Sequence, residues 1–145
     1  MIDLQLRQLP DECRPLLARF YRAHRSHMRV PAGARCWVLW DREIVAGLCL
    51  RDLDQGHWLT GLLVAPNRRR QQLAQQLVTQ VAGACERSIW LFCEPALGPF
   101  YQRLGFTECQ ALPPALAARL KAYNRHKTLL AFCNFPGTCP CPNDT

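Results

Sequence analysis

At 145 residues the chain is long enough for one domain with a sizeable core and has no room for two. Hydrophobic residues make up 49% and charged residues 20%, as in an ordinary globular protein, and no apolar run approaches the ~20 residues that a membrane span needs. Eighteen Lys and Arg against eleven Asp and Glu leave a formal charge of +7, compatible with a nucleic acid, an acidic surface or a polyanionic cofactor as partner.

The opening run, MIDLQLRQLP, carries Asp3 and Arg7 and lacks the apolar h-region of a signal peptide, so a cytoplasmic protein is expected. Ile2, Leu4 and Leu6 alternate with polar residues, which reads as an edge-type strand. Pro10 and Asp11 then open a helix with Leu16, Leu17, Phe20 and Tyr21 at helical spacing. Its basic end, RAHRSHMR, continues as a loop or a short second helix. The apolar runs 35–40 and 43–50 are separated by Asp41-Arg42, a polar turn of hairpin type, and the run 57–64 completes a three-stranded meander. Gly61 inside that last run marks a bulge or a close backbone approach.

From Val64 to Leu77 the chain reads VAPNRRRQQLAQQL. An apolar run stops at Pro66, three arginines follow, and an amphipathic helix begins at once, with Leu73, Leu77, Val78, Val81 and Cys85 on one stripe. Cations at the positive end of a helix are disfavoured by about 0.3–1 kcal/mol apiece, so Arg68, Arg69 and Arg70 together suggest an anionic ligand. Unpaired first-turn N–H groups reinforced by guanidinium groups would hold a pyrophosphate; a solvated basic helix start is the alternative. The run 88–95 is nearly all apolar, as in a parallel strand covered on both faces, which makes 58–93 a right-handed crossover. Residues 99–106, PFYQRLGF, form a short helix with Phe100, Tyr101 and Leu104 on one side, closed by Gly105. A helix over 113–127, a last strand over 128–135 and the tail PGTCPCPNDT complete the chain. Trp37, Trp40, Trp58 and Trp90 fall in strands, as core residues or as a pocket wall.

Nine cysteines are an odd number, most of them scattered through strands and helices, which argues for small buried thiols in a reducing compartment. Only Cys139 and Cys141 form a close pair, and two ligands do not make a zinc site, so no metal is expected.

Val64, Pro66, Arg69, Arg70, Gln71, Leu73, Ala74 and Leu77, followed in order by Phe100, Tyr101, Leu104, Gly105 and Phe106, resemble the two signature segments of the GNAT superfamily of acyl-CoA-dependent N-acetyltransferases. The resemblance implies an α/β fold of the α+β kind: one GNAT-like domain over 1–135 with a short Pro- and Cys-containing tail over 136–145. Its sheet would be mixed, mainly antiparallel, with a splayed parallel strand pair and flanking helices. It implies acetyl-CoA as acyl-donor cosubstrate, held by the main chain of Leu62, Leu63 and Val64 and by Arg69, Arg70, Gln71, Gln72, Leu73 and Ala74. Tyr101 takes the place of the family's general acid near the CoA sulfur. Gln72 stands where the family usually has glycine, and Glu94 where many members carry Asn. The run 57–64 has no carboxylate, so Glu94 is the best-positioned candidate base, with His57 and Asp54 behind it. His24, His27 and Met28 are candidates for the acceptor pocket or belong to a solvated basic loop. The implied reaction is acetylation of a primary amine of a small molecule or peptide, without a membrane and with a homodimer as the candidate assembly. Two alternatives stand beside it. One is toxin-like acetylation of a charged tRNA, prompted by the basic 19–35 segment. The other is a non-catalytic CoA-binding or nucleic-acid-binding module, prompted by Gln72 and the missing strand carboxylate.

Overall fold

The computed structural model describes residues 4–69 and 71–134. Its strands are β1 (Gln5–Leu9), β2 (Arg35–Trp40), β3 (Ile44–Leu53), β4 (Gly56–Val64), β5 (Ser88–Cys93), β6 (Thr107–Glu108) and β7 (Leu130–Asn134). The helices are α1 (Arg14–Ala23), α2 (Leu73–Ala84), α3 (Gly98–Arg103) and α4 (Pro114–Tyr123). Among the described residues the strands form one mixed sheet in the order β1-β2-β3-β4-β5-β7-β6. Pairing is antiparallel at β1–β2, β2–β3, β5–β7 and β6–β7, and parallel at β4–β5, the architecture expected from the sequence. The chain forms two compact units, one from the residues up to Asp52 and Leu59–Ala84, the other from Leu53–Trp58 and the residues from Cys85 onward.

In the first unit the β-branched and aromatic residues of β2 and β3 form a ladder, with Cys36 opposite Cys49 and Val38 opposite Gly47. The first helix begins later than the sequence suggested. Asp11–Cys13 form a 3-10 turn, and α1 starts at Arg14 with Pro15 in its first turn, where a missing N–H costs nothing. Leu17, Phe20 and Tyr21 recur at helical spacing and bury themselves in a cluster with Cys36, Val38 and Cys49. From α2 the buried stripe is Leu73, Leu77, Val78 and Val81, as expected, while Cys85, also expected on it, falls past the helix end and is half-buried.

One long-range contact fixes the middle of β4. Gly61 has φ +70, left-handed backbone that only glycine adopts without strain, and the buried Tyr21 hydroxyl donates to its carbonyl at 2.6 Å. A Cβ at position 61 would lie 2.6 Å from that hydroxyl oxygen. Because the single phenolic proton goes to Gly61, the 3.6 Å contact between Tyr21 and Cys49 is made by the Cys49 thiol donating to the phenol oxygen. Burial, with the Cys49 thiol as a neighbour, pushes the Tyr21 phenol well above its ordinary range. Cys36 stands opposite Cys49 in the ladder, and this neighbour and burial push its thiol well above the ordinary range.

In the second unit β5 pairs in parallel with Gly56–Trp58 and antiparallel with β7. Trp58 and Trp90 pack with Leu116 of α4 and with Cys133, and the Arg119 guanidinium lies over the Trp58 ring at 5.1 Å. Gly105, at φ +95, stops α3, and the Phe106 amide bonds back to the Tyr101 carbonyl at 3.0 Å, as in a Schellman cap.

Tyr21→Phe removes the donor to a half-buried carbonyl and should cost about 1 kcal/mol in urea unfolding. Gly61→Ala adds left-handed strain of about 1–2 kcal/mol and a collision with the hydroxyl. Its cost should be smaller in the Tyr21→Phe background than in the native one; equal costs would mean that the two positions are uncoupled.

Candidate functional site

Beyond β4 the Ala65 amide bonds to the Val45 carbonyl at 2.9 Å, and Pro66 then turns the chain into a 3-10 segment, Pro66–Arg68. The helix therefore does not begin at the arginines, as the sequence suggested, but at Leu73. Arg68 forms an ion pair with Asp41 of the β2–β3 turn at 2.9 Å, the two side chains only 21% and 19% exposed. One of the three arginines thus has a structural partner. Arg69 is exposed in extended backbone and has no ion-pair partner among the described residues. Arg70 lies outside the described residues.

Gln71 and Gln72 are exposed, and Gln72 has φ +59, in the left-handed region. This chain therefore adopts, with a glutamine, the backbone conformation for which glycine is best suited. The first bond of α2 runs from the Gln76 amide to the Gln72 carbonyl at 3.0 Å. Ahead of it the amides of Leu73, Ala74 and Gln75 have no partner within the helix, and no acidic side chain occupies the first turn. Such a helix start fits a phosphate group through backbone donors and the helix dipole, with Arg69 beside it. Leu62, Leu63 and Val64 are half-buried at the end of β4.

Tyr101 and Glu94 belong to the second unit, the residues so far described to the first. Tyr101 is 6% exposed, edge-on to Phe100 at 5.0 Å and to Phe106 at 5.9 Å, and tilted against Phe132 at 6.4 Å. Burial, and then the nearby Cys93, push its phenol up to about 12. Glu94 is exposed where β5 runs into the 3-10 turn Pro95–Leu97. His57 is buried within β4, whereas Asp54 is exposed in the preceding turn and accepts a bond from Arg87 through its carbonyl.

His24 lines a cleft in the first unit, while His27 and Met28 are exposed. Trp58 and Trp90 are buried, and Trp37 and Trp40 half-buried. Sequence reasoning missed two residues: Tyr21, read as one member of a helix stripe, and Asp41, read only as a turn. Among the described residues no cluster of His, Cys, Asp or Glu could hold a metal, and no helix is long and apolar enough to cross a membrane. Cys139 and Cys141 lie outside those residues.

A family model described as an acetyltransferase (GNAT) domain matches residues 32–108. Among solved structures, Escherichia coli ElaA is similar with a TM-score of 0.67 at 16% identity, covering 92% of this chain and 99% of that one. The ribosomal-protein-S18-alanine N-acetyltransferase of Escherichia coli has a TM-score of 0.70 at 15% identity, covering 94% and 96%. N-acetylglutamate synthase of Neisseria gonorrhoeae, solved with coenzyme A and L-arginine, also reaches 0.70, at 12% identity, covering 95% of this chain and 34% of that one. No curated protein matches the sequence significantly.

Relieving the left-handed glutamine should stabilise the fold. Gln72→Gly should raise stability by up to about 1 kcal/mol, the strain removed less glycine's larger unfolded-state entropy, whereas Gln72→Ala should bring no gain. Thermal melts of the two variants beside the native chain test this.

Proposed function

Since the chain belongs to the GNAT acetyltransferase family, we propose that it transfers an acetyl group from acetyl-CoA to a primary amine of a small molecule or peptide. The observation that carries this reading is the loop into α2: a left-handed residue, three first-turn amides with no partner within the helix, and Arg69, which has no ion-pair partner among the described residues, at positions that match the family's cofactor signature. N-acetylglutamate synthase, solved with coenzyme A, supports the same cofactor.

The bound thioester supplies the activated acyl group; the rest is work for the protein. The amides of Leu73, Ala74 and Gln75, with Arg69, Gln71 and Gln72 beside them, would hold the phosphates, and the sequence assigns Arg70 to the same role. Main-chain groups of Leu62, Leu63 and Val64 line the pantetheine arm, and an amide near Leu63 polarises the carbonyl. In the second unit, Tyr101 is the candidate donor to the departing sulfur and Glu94 the candidate acceptor of the amine proton.

Acetyl-CoA should stabilise the protein by about 2.7 kcal/mol at a hundredfold excess over its dissociation constant. Arg69→Ala should shrink that gain without changing the melting temperature of the free protein. Arg68→Ala should lower the free protein's own melting temperature by breaking the pair with Asp41. A melting temperature unmoved by millimolar acetyl-CoA would overturn the cofactor reading.

Tyr101→Phe keeps the ring and removes the proton, so kcat on an accepted amine should fall by about 10²–10⁴-fold while CoA affinity holds. Because the phenol keeps its proton up to about pH 12, any alkaline loss of rate well below that pH belongs to another group. Near-native kcat in this variant would remove Tyr101 from the chemistry.

A further inference from the structure

On the first unit, the face of α1 carrying Leu16, Arg19 and Phe20 opens onto Trp40, Arg42 and Glu43 at the β2–β3 turn, enclosing a cleft of about 310 Å³. We propose that this cleft binds a small monocarboxylate with an apolar or aromatic body, an activity distinct from acetyl transfer. Its size falls at the lower end of small-molecule sites.

The walls have the right chemistry. Residues spaced three and four apart on α1 share one face, so Leu16, Arg19 and Phe20 form a stripe with a cation among apolar groups. Leu16 is 38% exposed, a large apolar side chain left in contact with water at this cleft. Trp40 supplies the opposite apolar wall, and the His24 ring stands edge-on to Phe20 at 4.8 Å.

The charges are left over rather than consumed. Among the described residues neither Arg19 nor Arg42 has an ion-pair partner, and the nearest turn carboxylate, Asp41, is already bound to Arg68. Two guanidinium groups against the single carboxylate of Glu43 leave a net charge of one to be matched. A monocarboxylate supplies it through charge-assisted, bidentate hydrogen bonds, while a dianion would be repelled by Glu43. Arg42 also has φ +65, at a turn position where asparagine or glycine would be unstrained. An arginine kept there at a conformational cost fits a residue retained for its charge.

The test needs no acetyl-CoA and stands whether or not the transferase reading holds. The full chain, labelled with nitrogen-15, is titrated with 3-phenylpropionate and, separately, with the neutral 3-phenyl-1-propanol. The acid should shift amides within 16–24 and 40–44 with a dissociation constant on the order of millimolar, and the alcohol should bind at least roughly tenfold more weakly. Arg19→Gln and Arg42→Asn should each weaken the acid several-fold and together by at least roughly tenfold, while Arg22→Gln, on α1 but not lining the cleft, should leave it unchanged. Arg42→Asn suits the left-handed turn, and the single Arg19→Gln remains informative if the double variant is unstable. No shifts up to about 10 mM acid, equal binding of the alcohol, or binding indifferent to both substitutions would overturn the proposal.

Discussion

The bond from the Tyr21 hydroxyl to the Gly61 carbonyl is the contact on which the rest of the first unit depends. A strand residue with left-handed backbone breaks the regular ladder, and a carbonyl released in this way inside a protein costs roughly 1–3 kcal/mol if nothing replaces its partner. Tyr21 supplies the donor from α1, so the same bond anchors the helix to β4 and keeps the irregularity at one residue. The Cys49 thiol behind it donates to the phenol oxygen, so that Cys49, Tyr21 and Gly61 form one hydrogen-bonded chain, with Cys36 opposite Cys49. Only a glycine at position 61 permits this, since a Cβ would meet the hydroxyl.

A second irregularity follows within the loop that leads to α2. Proline ends the strand, a 3-10 segment takes up the turn, and Gln72 reverses the sign of φ before the helix can start. The strain at Gln72 is of the order of 1–2 kcal/mol, and the surrounding contacts hold it. Arg68 makes one of those contacts through Asp41, which ties the loop to the β2–β3 turn, leaving Arg69 free to face a ligand. Adjacent arginines in the sequence therefore differ: Arg68 braces the loop, while Arg69 is exposed with no ion-pair partner among the described residues.

Much of this was legible in the sequence because it follows from periodicity and turn chemistry. The meander, the buried stripe of Leu73, Leu77, Val78 and Val81, and the glycine stop at Gly105 all rest on local patterns, and the structure contains each of them. The start of α2 was not legible, since a run of arginines and glutamines has good helix propensity, and only the backbone conformation of Gln72 delays the helix to Leu73. Nor was the Tyr21–Gly61 bond, which joins residues forty apart through a hydroxyl that no pattern of apolar residues reports. The Asp41–Arg68 pair was hidden for the same reason. The resemblance in the sequence named candidate positions, but it could not show that Arg68 among the arginines is paired with Asp41.

The environment of Tyr101 limits what the residue can contribute. An aromatic cage of Phe100, Phe106 and Phe132 keeps the phenol neutral, with its acidity pushed to about 12, well above the ~8.5 of an ordinary thiol. Complete transfer of its proton to a thiolate of that acidity would run uphill. Donation of a hydrogen bond as charge develops on the sulfur carries no such penalty, and in a dry site it is stronger than in water. The same burial that makes the phenol a poor acid thus makes it a fixed donor, its proton secure across the working pH range and its ring held by its neighbours. For the reaction proposed above, this environment suits Tyr101 to donating a hydrogen bond to the leaving sulfur rather than to giving up its proton.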